Sequence, residues 1–164
     1  MNRNDTNSIV EVCSGCGASN RLPLSRLHST ARCGRCHRPV RDPAAPVEVS
    51  SAQLERLVRE SPVPVVVDFW AEWCGPCRAL APQLHQVAKN LSGKIVVAKV
   101  NVDSNPDAAA KYGARAIPLL VMFSGGKPVW RETGLRPAAQ LERSIRAAMG
   151  GATSGETAFG TRWT

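Results

Sequence analysis

At 164 residues the chain has room for one ordinary domain, or one domain with a small appendage, and not for two full-sized ones. Its 43% hydrophobic content, with 13 glycines and 12 prolines, is that of a globular protein and excludes collagen-like or wholly disordered classes. The longest apolar stretch, Ala116–Phe123, interrupted by Pro118, falls far short of the ~18 residues a membrane span needs. The formal charge of +8 is spread along the chain, with seven arginines against three acids before residue 47, so it speaks to solubility and encounter more than to a nucleic-acid partner.

The first sixteen residues are polar and lack the apolar core and cleavage site of an export signal, so a cytoplasmic, reducing location is expected. Cysteine pairs in that setting point to metal binding or redox catalysis rather than structural disulfides. Cys13-Ser14-Gly15-Cys16 and Cys33-Gly34-Arg35-Cys36 have the spacing of two zinc knuckles, whose four sulfurs Cys13, Cys16, Cys33 and Cys36 would close a tetrahedron around one Zn²⁺. Gly15, Gly17 and Gly34 would supply the tight turns. Few apolar anchors stand in this region, so metal binding would provide folding free energy. Two disulfides, a c-type haem attachment at Cys33–His37, and His37 as a substitute ligand remain alternatives. His28 and His85 read as surface residues. Arg32, Arg35, Arg38 and Arg41 could mark a nucleic-acid surface. No aromatic residue occurs before residue 47 to stack a base, which favours a solvated charged face.

Asp42-Pro43-Ala44-Ala45-Pro46 reads as a short stiff linker. Beyond it the pattern is that of a packed domain. Val47–Val49 is a short edge strand, and Ser50 or Ser51 caps a helix carrying Leu54, Leu57 and Val58. The run from Val63 to Trp70 is continuous and β-branched, as in a strand covered on both faces. A helix follows from Gly75 to Leu91 with Leu80, Leu84, Val87 and Leu91 as its apolar stripe and Pro82 as a kink. Lys94 to Asn101 is a second buried strand, and Pro106 opens a short helix that stops at Gly113. Leu119–Phe123 and Lys127–Thr133 form a hairpin around Gly125-Gly126. The last helix spans Pro137 to Met149. This order gives an α/β fold, a mixed central sheet with helices on both faces. Residues 1–46, 47–149 and 150–164 separate as a small cysteine module with its linker, a main domain and a fraying tail.

The sharpest chemistry is Trp73-Cys74-Gly75-Pro76-Cys77, where a buried strand gives way to a helix. A cysteine at a helix N-terminus faces unpaired N–H groups and the positive end of the dipole, both of which stabilise its thiolate. Cys74 is thereby the nucleophile, and Cys77, one turn inward, is placed to resolve a mixed disulfide. No second cysteine pair lies in the domain to complete a metal site. Asp68 interrupts the apolar run Val65–Trp70, so burial should raise its pKa and make it a base near neutrality. Trp70 reads as core, and Trp73 as a substrate-contact surface beside the nucleophile.

The segment Val67-Asp68-Phe69-Trp70-Ala71-Glu72-Trp73-Cys74-Gly75-Pro76-Cys77 resembles the active-site segment of the thioredoxin family. The resemblance runs over residues 47–149, and a zinc module ahead of it is similar to the thioredoxin 2 subtype. It implies a thioredoxin fold preceded by a zinc-ribbon-like module. It further implies a cis-proline at Ile117-Pro118 that offers backbone hydrogen bonds to substrate, and a buried carboxylate, Asp68, with Lys99 near it. Gly134 would lie on the substrate surface. Pro82 and Gly126 match the family's kinking proline and hairpin glycine, whereas Leu119 stands where a threonine is usual. The implied activity is reduction of disulfides in protein substrates, with Trp73, Gly75, Pro76, Ile117, Pro118 and Gly134 contacting the substrate. The chain would work as a monomer, be re-reduced by an NADPH-dependent thioredoxin reductase and hold no organic cofactor; it carries no G-x-G-x-x-G of its own. The alternative is a zinc-ribbon binding module, for nucleic acid or protein, regulated by the attached redox domain.

Overall fold

A computed structural model describes residues 5–151. The elements in chain order are β1 (Ser8–Val12), β2 (Ser19–Pro23), a 3-10 turn (Leu24–Arg26), β3 (Ala31–Arg32), β4 (Pro39–Arg41) and β5 (Val47–Glu48). There follow α1 (Ser51–Glu60), β6 (Val65–Trp70), α2 (Gly75–Asn90), β7 (Val96–Asn101), α3 (Pro106–Lys111), β8 (Leu119–Ser124), β9 (Lys127–Thr133) and α4 (Ala138–Gly151). Two small hairpins, β1–β2 and β3–β4, precede a five-stranded sheet of order β5-β7-β6-β8-β9. Its first three strands are parallel, β8 runs antiparallel to β6, and β9 runs antiparallel to β8. No helix among the described residues is long and apolar enough to cross a membrane.

The continuous apolar run of β6 has the expected cause. Flanked by β7 and β8, its residues Val65, Val67 and Phe69 pack toward α1, and Val66 packs toward α2 and α4. Ser50 caps α1: its side chain accepts from the Gln53 N–H, and the Gln53 side chain accepts from the Ser50 N–H, a reciprocal pair. Helix α2 continues through Pro82, whose ring is exposed. Gly125 (φ 59°) and Gly126 (φ 81°) form the tight hairpin turn that the two glycines suggest. The second buried strand begins at Val96 rather than Lys94, because the chain turns back on Leu91 first, with Lys94 and Ile95 donating to the Leu91 carbonyl. Of the expected tail 150–164, Gly150 and Gly151 belong to α4, and residues 152–164 lie outside the described residues.

The largest departure from the sequence reading lies before residue 46. Leu24 and Leu27 are each 1% exposed and join Ile9 and Leu22 in one apolar cluster with Val49, Leu54, Leu57 and Phe69. The cysteine module therefore does have apolar anchors, and they are buried in the same core as α1. Gln53 extends the attachment by donating from Nε2 to the Ser8 carbonyl at 2.9 Å. Arg41, read as part of a solvated face, is only 4% exposed, and the field of Glu11 and Asp42 faces its guanidinium. His28, read as a surface residue, is half-buried with its Nδ1 enclosed. Trp70 is half-buried at the end of β6 rather than in the core, because its indole reaches the sheet edge to meet Glu48.

A shared core makes the two modules one thermodynamic unit. Leu27→Ala should destabilise the whole chain by about 2–5 kcal/mol. Denaturation followed by tryptophan fluorescence checks this, because all four tryptophans lie beyond residue 46. A midpoint equal to the parent's would mean the modules unfold independently.

Candidate redox site and metal centre

The backbone leaves β6 at Trp70, turns through Ala71-Glu72-Trp73 and enters α2, with the Cys74 N–H donating to the Ala71 carbonyl at 3.2 Å. Cys74 is the N-cap residue of α2, and its Sγ accepts from the Cys77 backbone N–H at 3.2 Å. An N–H directed at sulfur in this way is the kind of contact that stabilises a thiolate at a helix start. Pro76 sits in the first turn, where a missing N–H is harmless. Cys74 and Cys77 are joined as a disulfide, with Cα atoms 5.3 Å apart. Both sulfur-bearing residues are buried in a small cluster with Ala71, against Trp70, Val102 and Ile117.

Around this pair the surface is asymmetric. Ile117-Pro118 is cis, and the Ile117 carbonyl lies 3.9 Å from Cys74 Sγ. Gly134 sits beside that loop at φ 92°, its N–H donating to the Pro118 carbonyl. Gly75 and Pro76 are exposed. Trp73 is 68% exposed, its indole N–H held by Asp103 Oδ2 at 2.9 Å, and Leu135 next to Gly134 is also exposed. The structure thus gathers Trp73, Cys74, Cys77 and Ile117 at one end of the sheet. Asp103 carries no signal in the sequence that would single it out.

Asp68 stands further down β6, on the face covered by α2, with neither carboxylate oxygen hydrogen-bonded. Burial pushes its pKa up to about 7, with the field of Lys99 opposing and that of Glu48 adding. Lys99 is its register partner on β7.

The four N-terminal cysteines meet as expected: their Sγ atoms all lie within 4.8 Å of one another, with Cys13–Cys36 at 3.5 Å and Cys16–Cys33 at 3.6 Å. A tetrahedral zinc with Zn–S of about 2.3 Å requires sulfurs roughly 3.8 Å apart, so the set fits that ion. The two knuckles repeat one hydrogen-bond pattern, Gly17 N–H to Cys13 and His37 N–H to Cys33, then Cys13 N–H to Ala18 and Cys33 N–H to Arg38. Gly17 (φ 74°) and His37 (φ 64°) occupy the same left-handed position. His37 therefore does a turn residue's work, and among the described residues the cluster contains cysteines alone. Gly15 and Gly34 do not adopt positive φ; the Gly34 N–H donates instead to Asn20 Oδ1. Arg35 Nη2 reaches across to the Cys16 carbonyl at 2.6 Å, so two bonds tie the knuckles together. The backbone N–H groups of Cys36 and Arg35 draw the Cys33 thiol down to about 6.

A strand-to-helix dithiol beside a cis-proline, on a mixed sheet sandwiched by helices, defines the class of disulfide-exchanging α/β proteins. A family model described as Thioredoxin matches residues 45–147, and one described as the N-terminal part of Thioredoxin 2, a zinc ribbon, matches residues 12–38. Thioredoxin C-3 of Corynebacterium nephridii is 36% identical over 135 residues, covering 82% of this chain and 92% of that one. Thioredoxin 1 of Chlorobaculum tepidum is 45% identical over 97 residues, 59% of this chain and 96% of its own. Among solved structures, a mutant thioredoxin from Halobacterium salinarum NRC-1 matches with a TM-score of 0.60 at 33% identity, over 66% of this chain and 94% of that one. The chain belongs to the thioredoxin family.

Two expectations follow from the geometry. Asn20→Ala, which removes the Gly34 partner, should weaken zinc affinity about 10–100-fold in competition with a chromogenic chelator. Asp68 is held above its unfolded value, so the stability it contributes is complete below about pH 4 and is lost as pH rises through about 7. Oxidised Asp68→Asn should accordingly exceed the parent in stability above neutrality, by up to roughly 4 kcal/mol, with the gain shrinking toward pH 4 in urea titrations.

Proposed function

We propose that this chain is a thiol–disulfide oxidoreductase that reduces disulfides in protein substrates. The observation that carries the reading is the Cys74–Cys77 pair at the start of α2, with the Cys77 N–H directed at Cys74 Sγ. In the reduced form the Cys74 thiolate attacks one sulfur of a substrate disulfide. A mixed disulfide forms and the other substrate sulfur leaves as a thiolate. Cys77 gives its proton to Asp68 and attacks Cys74 Sγ, which restores the intramolecular disulfide and releases the second substrate sulfur. Two electrons pass from the dithiol to the substrate.

The supporting residues take roles that follow from their placement and the family. Ile117 and Pro118 present main-chain groups to an extended substrate, and Trp73, Gly75, Pro76 and Gly134 form the surface on which it lies. Lys99 balances the Asp68 charge. Re-reduction falls to an NADPH-dependent flavoprotein reductase, with the chain acting as a cytoplasmic monomer. Residues 1–46 hold one Zn²⁺ through Cys13, Cys16, Cys33 and Cys36, which would supply folding free energy to the ribbon. Residues 47–149 form the redox domain. The burial of Arg41 removes one of the four arginines from a nucleic-acid surface and leaves that alternative weaker.

Reduction of a disulfide-bonded model protein, read as free thiols released, tests the assignment. Cys74→Ser should abolish turnover, while Cys77→Ser should arrest the reaction as a covalent adduct with the substrate, visible by mass. Retention of full activity by Cys74→Ser would sink the reading.

A further inference from the structure

Glu48, Lys99 and Asp68 occupy one register row of the central sheet. Glu48 on β5 pairs with Lys99 on β7, Lys99 pairs with Asp68 on β6, and the row continues through Leu120 on β8 to Glu132 on β9. Residues in one row share a face, and neighbouring strands lie about 4.8 Å apart. One ammonium is therefore flanked by two carboxylates. Trp70, two residues beyond Asp68, touches Glu48 and Lys99 of this group. Its Nε1 donates to Glu48 Oε1 at 3.2 Å, and Lys99 Nζ lies 4.4 Å from a Trp70 ring centroid. Asp68, by contrast, is fully buried without a hydrogen bond.

The surroundings leave few other charges to act on Asp68. Helices α2 and α4 cover this face with Leu80, Leu84, Leu141 and Ile145. On α2, Arg78, His85 and Lys89 are exposed; on α4, Arg143 is exposed and Glu142 is paired with Arg146. Leu120 is apolar, and Glu132 is paired with Arg136. At the Trp70 end stand the thiols of Cys74 and Cys77 in the reduced chain, with Glu72 exposed and Asp103 bonded to the Trp73 indole. Glu48 itself feels Trp70 and Lys99: desolvation raises its pKa, and the indole bond and the ammonium oppose that. For Asp68, Lys99 and Glu48 act in opposite directions.

We propose, resting on the proton-acceptor role given to Asp68 above, that Glu48 is a positioning residue for the redox reaction. It anchors Trp70 and divides the charge of Lys99 between two carboxylates, and so sets how readily Asp68 takes the Cys77 proton. A single cation cannot neutralise both partners. Removing the charge of Glu48 leaves Lys99 to Asp68 alone, which favours the Asp68 carboxylate.

The test uses the full-length oxidised chain, in which the active-site thiols do not titrate. Glu48→Gln keeps an acceptor for the Trp70 N–H and removes only the charge. The Asp68 carboxyl, followed by carbon NMR against pH, should titrate about one pH unit lower than in the parent. In the reduced chain the acid limb of the rate of disulfide reduction should move the same way. A midpoint that coincides with the parent's overturns the proposal. Repeating Glu48→Gln in a Lys99→Met background should give a markedly smaller shift; a shift of equal size means that Lys99 is not the shared charge, which also overturns it. Asp68→Asn separates the two readings. If that variant keeps the parental rate profile, the acceptor role of Asp68 fails, whereas the carboxyl midpoint still decides the influence of Glu48.

Discussion

Taking a carboxylate out of water without a hydrogen-bond partner costs several kcal/mol once it ionises, and β6 carries such a group near its midpoint. The strand accommodates Asp68 because nearly everything else in it is apolar and covered: β7 and β8 flank it, α1 packs on one face, and α2 and α4 pack on the other. The strand ends at Trp70, and the turn Ala71-Glu72-Trp73 leads from it to Cys74 at the start of α2. A buried carboxyl in the interior and a cysteine pair at a helix start are therefore set by one short segment. The arrangement depends on the sheet being closed on both faces, since water beside Asp68 would return it to an ordinary carboxylate.

Much of this was legible along the chain. The β-branched run of β6, the apolar stripe of α2, and the glycine-dependent turn before β9 are local signals, each fixed by backbone preference and periodicity. The dithiol is equally local, since it lies within four residues at a helix entrance. What escaped was decided across strands. Glu48 looks unremarkable in Val47-Glu48-Val49 until the β5–β7 register sets it beside Lys99. Trp70 has the composition of a core residue, yet its place at the strand end lets the indole reach the edge. Arg41 follows three other arginines of the second knuckle, Arg32, Arg35 and Arg38, and the pairing of β4 with β3 draws it inside.

The ribbon teaches a related lesson. Its cysteine spacing announced a metal site, and the sulfurs meet accordingly. Its apolar residues Leu22, Leu24 and Leu27 follow neither a helical nor a strict alternating period, because a strand, a 3-10 turn and its exit each contribute one. Their partner surface is α1, which is remote in sequence. The left-handed backbone of His37 was hidden as well, since glycine marks the equivalent position in the first knuckle only.

Gln53 serves two structures with one amide: its oxygen closes the first turn of α1, and its nitrogen grips the Ser8 carbonyl of β1. Entry into the helix and attachment of the ribbon are thus fastened by the same side chain. A ribbon transplanted onto a relative with a different residue at this position would lose its polar latch even if every apolar contact were copied. Compatibility between the two halves is accordingly written in the helix of the acceptor as much as in the graft.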